Sequence, residues 1–85
     1  MIMNPKVVIY TAKGCSFCIK QKEWLDNHLI EYKEKKVEFE KNRQELLEKK
    51  VLGVPYTVIK IEDEPNEITV AGFKLNKLES LLLGD

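Results

Sequence analysis

The sequence predicts an α/β fold with a four-stranded mixed sheet flanked by three helices, in the order β-α-β-α-β-β-α. Two observations lead to this prediction. β-branched runs alternate with segments whose apolar residues recur every three or four positions, and Gly, Pro or Asn stand between them. The first β-α-β unit requires a right-handed crossover between parallel strands, whereas the closing hairpin adds an antiparallel pair. We expect one domain over residues 1–85, without a repeat or linker.

The first half of the chain supplies the parallel unit. Residues 7–11 are β-branched and aromatic and do not alternate with polar residues, which predicts a strand buried on both faces. Residues 16–29 predict a helix whose buried face includes Leu29, because large side chains recur at helical spacing. Residues 30–39 predict an exposed edge strand, since aromatic and β-branched residues alternate there with Lys and Glu.

The second half of the chain begins with a short helix and ends with a hairpin and a third helix. Asn42 followed by Glu45 has the spacing of a capping box, so we predict a helix with Asn42 as its N-cap and Gly53 as its terminator. A turn at Pro65-Asn66 joins the two hairpin strands. The remaining predicted elements are the strands 55–61 and 68–70 and the helix 76–83, closed by Gly84.

The charge pattern and hydropathy exclude two classes of partner. Lys plus Arg and Asp plus Glu number 14 each and are interleaved, so the sequence has no basic block for nucleic acid. No stretch approaches the ~20 apolar residues that cross a membrane, and the first residues lack the apolar core of a signal peptide. We therefore expect a cytoplasmic monomer that binds neither nucleic acid nor membranes.

Both cysteines of the chain lie at the first strand-to-helix junction, where open α/β sheets place their functional sites. If Cys15 is the N-cap or first residue of the helix, Cys18 follows one turn later, at a separation that permits a disulfide. The helix N-terminus favours the charged form of the Cys15 thiol, whereas Cys18 should be shielded and protonated. We expect Cys15 to attack a substrate disulfide and Cys18 to resolve the resulting mixed disulfide.

Other uses of the cysteine pair remain open at this point. A permanent disulfide would close so short a ring that it would constrain little of the unfolded chain, and the cytoplasm is reducing. A structural zinc site normally has four ligands, and this chain offers Cys15, Cys18 and His28. The alternative is a non-catalytic module in which two chains share a zinc or iron–sulfur centre.

A second motif, Val54-Pro55, stands directly before a predicted strand, where Pro is tolerated because it donates no ladder hydrogen bond. With the cysteine pair and Gly72 before the last helix, it makes the chain resemble the glutaredoxin family, which has the thioredoxin fold. The resemblance implies a cis Pro55 packed against the cysteines and a Val54 backbone that pairs with an extended substrate. It also implies a thiol–disulfide oxidoreductase that reduces protein disulfides or glutathione mixed disulfides. Such an enzyme binds no metal or organic cofactor and uses glutathione as reductant or co-substrate.

The chain departs from the commonest glutaredoxin pattern around this site. Ala12 stands where many members have Lys, with Lys13 beside it, and Ser-Phe replaces Pro-Tyr between the cysteines. No acidic residue stands within two residues after Gly72, and Ala-Gly-Phe-Lys is similar to redoxins that take electrons from thioredoxin reductase and serve ribonucleotide reductase. That electron donor and substrate are the alternative within the same fold. The residues expected to form the substrate-binding rim are Lys13, Phe17, Val54, Pro55, Gly72 and Phe73.

Overall fold

The computed structural model describes residues 5–84 of the chain. It contains four strands and three helices in the predicted order, which confirms the predicted fold class. The elements are β1 (Lys6–Thr11), α1 (Ser16–Asn27), β2 (Lys33–Lys36), α2 (Glu40–Glu48), β3 (Tyr56–Lys60), β4 (Ile68–Ala71) and α3 (Leu75–Leu83).

The four strands form one mixed sheet in the order β2-β1-β3-β4. β1 is parallel to β2 and antiparallel to β3, where Ile9 lies opposite Thr57. β3 is in turn antiparallel to β4, where Thr57 lies opposite Val70. β1 and β3 are therefore the two central strands, and both have neighbours on each side to complete their backbone hydrogen bonds.

The sheet separates two hydrophobic cores, because alternate residues of a strand face opposite sides. One core lies under α1 and α3, and the other lies under α2. β1 contributes to both, with Val7 in the first and Tyr10 in the second, which confirms the prediction of a strand buried on both faces. The buried members are Val7, Ile59, Val70 and Leu78 in the first core and Tyr10, Leu46, Tyr56 and Val58 in the second.

The end of α1 differs from the prediction. The helix stops at Asn27, and Leu29 adopts a left-handed conformation with φ of 57° and is 91% exposed. The N–H of Ile30 then donates to the carbonyl of Leu25, which reverses the chain so that Ile30 packs against the core. The placement of Leu29 on the buried face was therefore wrong, since Ile30 takes that role.

The start of α2 also differs from the prediction, and Asn42 is not its N-cap. β2 ends at Lys36, earlier than predicted, and a turn leads into a helix whose N-cap is Phe39. Asn42 lies within the first turn, where its side-chain nitrogen donates to the carbonyl of Lys36 at 2.9 Å. The capping-box spacing is a local signal, and the turn after β2 overrides it.

Gly53 does not terminate α2 as predicted. The C-cap is Lys49, and Lys50 follows in a left-handed conformation with φ of 62°. Residues 51–55 then return to the sheet without regular structure. Gly84, by contrast, is the left-handed C-cap of α3 that the sequence predicts.

None of the described helices is long and apolar enough to cross a lipid bilayer.

Glu45 connects α2 to the sheet through two polar contacts. The hydroxyl of Tyr10 donates to Glu45 Oε1 at 2.8 Å, and Lys35 Nζ lies 2.8 Å from the same oxygen. The hydrogen bond from Lys35, followed by that from Tyr10, lowers the pKa of Glu45. Burial, followed by the contact with Glu45, raises the pKa of Tyr10. The contacts therefore favour a charged carboxylate beside a neutral phenol.

Replacing Glu45 by Gln is expected to lower the free energy of unfolding by about 1 kcal/mol at neutral pH, because a charge-assisted contact is lost. The folded-state pKa of Glu45 is lowered, so its contribution is fully present above the unfolded-state pKa. The contribution disappears as pH falls through the folded-state value. Urea denaturation over a pH series should show that the free energies of unfolding of the wild type and the variant become equal in acid. Glu48→Gln, at an exposed position of the same helix, is the control. A difference that is constant with pH would contradict this account.

Candidate active site

Three segments predicted to form the site meet at one edge of the sheet. Tyr10, near the end of β1, lies opposite Tyr56 at the start of β3, and Tyr56 lies opposite Ala71 at the end of β4. The segment after β1, the segment before β3 and the segment after β4 are therefore neighbours. They carry the cysteine pair, Val54-Pro55 and Gly72-Phe73, respectively.

Cys15 and Cys18 are arranged as a helix cap. Cys15 is the N-cap of α1, with extended backbone angles, and its Sγ accepts a hydrogen bond from the N–H of Cys18 at 3.1 Å. The N–H of Cys15 donates to the carbonyl of Ala12, which closes the turn that contains Gly14 at φ of 78°. The cysteines form a disulfide, and their Cα atoms are 5.2 Å apart. The predicted N-cap position of Cys15 is confirmed.

The two sulfurs differ in their accessibility. Cys18 is 1% exposed, whereas Cys15 is partly exposed at the edge of the sheet. A thiolate from solvent therefore reaches the disulfide at Cys15. In the reduced protein, the helix N-terminus and the Cys18 N–H favour the thiolate form of Cys15. This asymmetry fits the predicted division into an attacking and a resolving cysteine.

Pro55 and Gly72 join the segments that flank the cysteine pair. The Val54–Pro55 peptide bond is cis, and Pro55 is buried. The N–H of Gly72 donates to the carbonyl of Pro55 at 2.9 Å, and Gly72 has φ of 87°, which favours glycine. Val54 is partly exposed, and its N–H and C=O have no backbone hydrogen-bond partner within residues 5–84. This backbone is therefore free to pair with another chain.

Phe17, which is exposed, and Phe73, which is partly buried, form an aromatic pair beside the cysteines. Their rings are stacked, with centroids 5.3 Å apart and planes at 22°. Phe17 is 53% exposed, and Lys20 Nζ lies 5.7 Å from the centre of its ring. Lys20 was not among the predicted site residues, although its position three residues after Phe17 on a helix indicates that the two side chains can meet.

The three segments that carry the site are cationic, although the chain as a whole has no net charge. Residues 12–20, 53–55 and 71–78 contain no Asp or Glu. They contain four lysines, namely Lys13, Lys20, Lys74 and Lys77. These three segments form a positive rim beside the cysteines. The turn after β2 reaches the same edge, because the Val37 N–H donates to the Thr11 carbonyl, and it carries Glu38 and leads into α2 at Glu40.

A polar cluster attaches α1 to the sheet behind the cysteines. Glu34 Oε2 on β2 accepts hydrogen bonds from Thr11 Oγ1 at 2.7 Å and from Lys22 Nζ at 2.9 Å. Burial alone would raise the pKa of Glu34, but the hydrogen bonds from Thr11 and Lys22 outweigh it and lower the pKa. The charged carboxylate therefore helps to hold the middle of α1 relative to β1.

His28 lies at the other end of α1, away from the cysteines. It is the exposed C-cap residue, and its Nδ1 is 2.9 Å from the carbonyl oxygen of Trp24. Its ring lies against the Trp24 ring, with centroids 4.4 Å apart. Over residues 5–84, no three His, Cys, Asp or Glu side chains are grouped so that they could hold a metal ion.

The fold and the intrachain disulfide at the start of α1 define a thiol–disulfide oxidoreductase of the thioredoxin fold. The sequence model described as Glutaredoxin matches residues 7–55, which is more than half of the chain. The protein belongs to the glutaredoxin family. A comparison with curated protein sequences gave no match.

Solved structures agree with this assignment. The thioredoxin-like protein BC3987 is 32% identical, with a TM-score of 0.76 over 89% of this chain and 99% of that chain. Glutaredoxin 1 from Francisella tularensis, solved with cacodylate, is 25% identical, with a TM-score of 0.64 over 95% of this chain and 99% of that chain. Thioredoxin f from spinach chloroplast shares the fold, at 21% identity and a TM-score of 0.71 over 96% of this chain and 76% of that chain.

Proposed function

We propose that the protein reduces protein disulfides and mixed disulfides of glutathione by a dithiol mechanism. The observation that supports this most directly is the disulfide between a partly exposed Cys15 at the helix N-cap and a buried Cys18. The Cys15 thiolate attacks the substrate disulfide, and the released substrate thiolate takes a proton. Cys18 then loses its proton and attacks Cys15 Sγ, which releases the second thiol and forms the Cys15–Cys18 disulfide.

The rim around Cys15 supports binding of an extended substrate segment. The free backbone groups of Val54 can pair with such a segment as an added strand would. Buried Pro55 and partly exposed Gly72 lie beside Val54, and the stacked rings of Phe17 and Phe73 offer an apolar contact near the cysteines. The substrate class is therefore a disulfide in an accessible chain segment.

Glutathione is the reductant that the charge of the rim favours. Glutathione carries two carboxylates, and the three segments that carry the site include Lys13 and Lys74 but no acidic residue. The positive rim would attract the peptide and favour its thiolate close to Cys15. In this cycle, one glutathione thiolate attacks Cys15 Sγ and a second releases the dithiol protein, with oxidised glutathione as the product.

A second candidate electron donor is thioredoxin reductase, with ribonucleotide reductase as a substrate. The position after Gly72 holds Phe73, which stacks on Phe17, and no acid stands there to bind the amino group of glutathione. A partly exposed aromatic pair suits the apolar centre of a protein interface better than a charged tripeptide. The aromatic pair therefore favours a protein donor, whereas the lysines favour glutathione.

Two coupled assays distinguish the donors, with NADPH consumption as the readout. One contains reduced glutathione and glutathione reductase, and the other contains thioredoxin reductase. We expect turnover with glutathione, and a roughly two- to fivefold loss of kcat/KM for glutathione in Lys13→Gln, because one partly screened charge contact is removed. Lys60→Gln, at the opposite end of β3, is the matched control and should keep wild-type kinetics. Turnover with thioredoxin reductase alone would reject glutathione and support the second candidate.

We also propose that the protein works as a cytoplasmic monomer. Its disulfide forms within one chain, so the exchange chemistry requires no second copy. A couple that is reset after every cycle also requires a reducing compartment. Sedimentation of the reduced protein would test the monomeric state. Fractionation of cells that express the protein would test the cytoplasmic location.

A further inference from the structure

A buried glutamine on α1 has a polar atom without a partner. Gln21 is fully buried, and its Nε2 donates to Thr57 Oγ1 on β3, which is also fully buried. Its Oε1 accepts no hydrogen bond. Among residues 5–84, it is the one buried side-chain oxygen or nitrogen that lacks a hydrogen-bond partner. An unpaired buried acceptor is destabilising, so a functional reason should be sought for it.

Gln21 lies directly behind the resolving cysteine. It follows Cys18 by three residues on the same helix, both side chains are buried, and residues at this spacing have Cβ atoms about 5–6 Å apart. Side chains of a helix lean toward its N-terminus, which for Gln21 is the turn that contains Cys18. The contact with Thr57 fixes the amide between α1 and the central strand β3. The amide of Gln21 therefore lies on the buried face of α1 that also carries Cys18.

The redox state explains the missing partner. In the disulfide form the Cys18 sulfur carries no hydrogen and cannot donate. Reduction gives Cys18 an S–H group, which is a weak donor in a buried site. We propose that Gln21 Oε1 accepts a hydrogen bond from the reduced Cys18 thiol, and that Gln21 is a positioning residue that stabilises the dithiol form.

The proposed step adds no reactant to the exchange reaction. A thiolate of the reductant attacks Cys15 Sγ, the Cys15–Cys18 bond breaks, and its electron pair remains on Cys18 Sγ. Cys18 takes a proton and donates it in a hydrogen bond to Gln21 Oε1. A second thiolate of the reductant then attacks the reductant sulfur and releases Cys15 as its thiolate, so that two electrons and one proton enter the protein. An amide oxygen is too weakly basic to remove the Cys18 proton, so Gln21 holds the proton and does not act as a general base.

The test is the redox equilibrium of Gln21→Met, which keeps the length of the side chain and removes the acceptor. The variant is equilibrated with dithiothreitol and its oxidised form. We expect its equilibrium to move about tenfold toward the disulfide, which corresponds to a potential about 30 mV more negative. Leu25→Val, a buried change one turn further along α1, loosens the same helix and should leave the equilibrium within about twofold. An unchanged equilibrium in Gln21→Met would overturn the proposal.

A spectroscopic measurement separates this role from simple packing. In a Cys15→Ser background, Cys18 is the one thiol of the chain, and its S–H stretching band reports its hydrogen bond. The band should move to higher frequency when Gln21→Met is added, because the acceptor is lost. Urea denaturation should show a larger destabilisation of the reduced form than of the oxidised form. Equal destabilisation of both forms, with an unmoved S–H band, would assign Gln21 a packing role alone. These readouts depend on the dithiol couple and not on the identity of the electron donor.

Discussion

Cys15→Ser is expected to lose disulfide reductase activity by a factor on the order of a thousand or more, because an alcohol is a far weaker nucleophile than a thiolate. The structure gives the reason for expecting this at Cys15. Its sulfur is partly exposed and caps the helix, whereas Cys18 is 1% exposed and has no direct access to a substrate. The measurement is the rate of reduction of a glutathione mixed disulfide, with circular dichroism to show that the variant is folded.

Cys18→Ser is the matched variant for this prediction, because it changes the same chemistry one helical turn away. It should perform the first attack and then stop, so that a mixed disulfide accumulates on Cys15 and is released by dithiothreitol. Mass spectrometry of the intact protein detects the added glutathione. Two results would show that the two roles are assigned the wrong way round. One is reductase activity in Cys15→Ser, and the other is a mixed disulfide that accumulates on Cys15→Ser and not on Cys18→Ser.

Ile59→Ala is expected to reduce the free energy of unfolding by about 2–5 kcal/mol, a large share of the roughly 5–10 kcal/mol of a domain this small. Ile59 is fully buried on the central strand β3, opposite Val7 and Ile68, in the core that contains Leu78 of α3. Truncation removes buried methyl groups from a position where the sheet prevents the backbone from closing the cavity.

Urea denaturation of three variants tests this expectation. Ile59→Val should lose about 0.5–1.5 kcal/mol, because most of the side chain is kept. Leu52→Ala removes the same number of carbons as Ile59→Ala, but from a side chain that is 92% exposed. It should therefore have little effect on the free energy of unfolding. If Ile59→Ala and Leu52→Ala were equally stable, the core assignment of β3 would be wrong.

The positive rim changes how the charge pattern of the chain should be interpreted. Along the sequence, the two signs are balanced and interleaved, and this pattern indicated no preference for a charged partner. In the folded chain, three segments without an acid lie together around Cys15. Nucleic acid remains an unexpected partner, because four lysines around one cysteine are few for a phosphate backbone.

Local pattern by itself determined the order of the elements and the position of the cysteine pair. Hydrophobic periodicity distinguishes the strand before Cys15 from the helix after it, because each type of element buries its apolar residues at its own spacing. The N-cap position of Cys15 and the left-handed Gly84 were predictable for the same reason, since both depend on a few adjacent residues.

Tertiary structure decided the element ends and the composition of the site. Asn42 is not the predicted N-cap, because the turn after β2 places Phe39 there. Leu29 is not buried as predicted, because Ile30 packs against the core instead. The contact of Phe17 with Phe73 and the burial of Gln21 against Thr57 join residues far apart in the chain. Strand register determines which loops and side chains meet, and register is set by pairing between distant segments, which no local pattern contains.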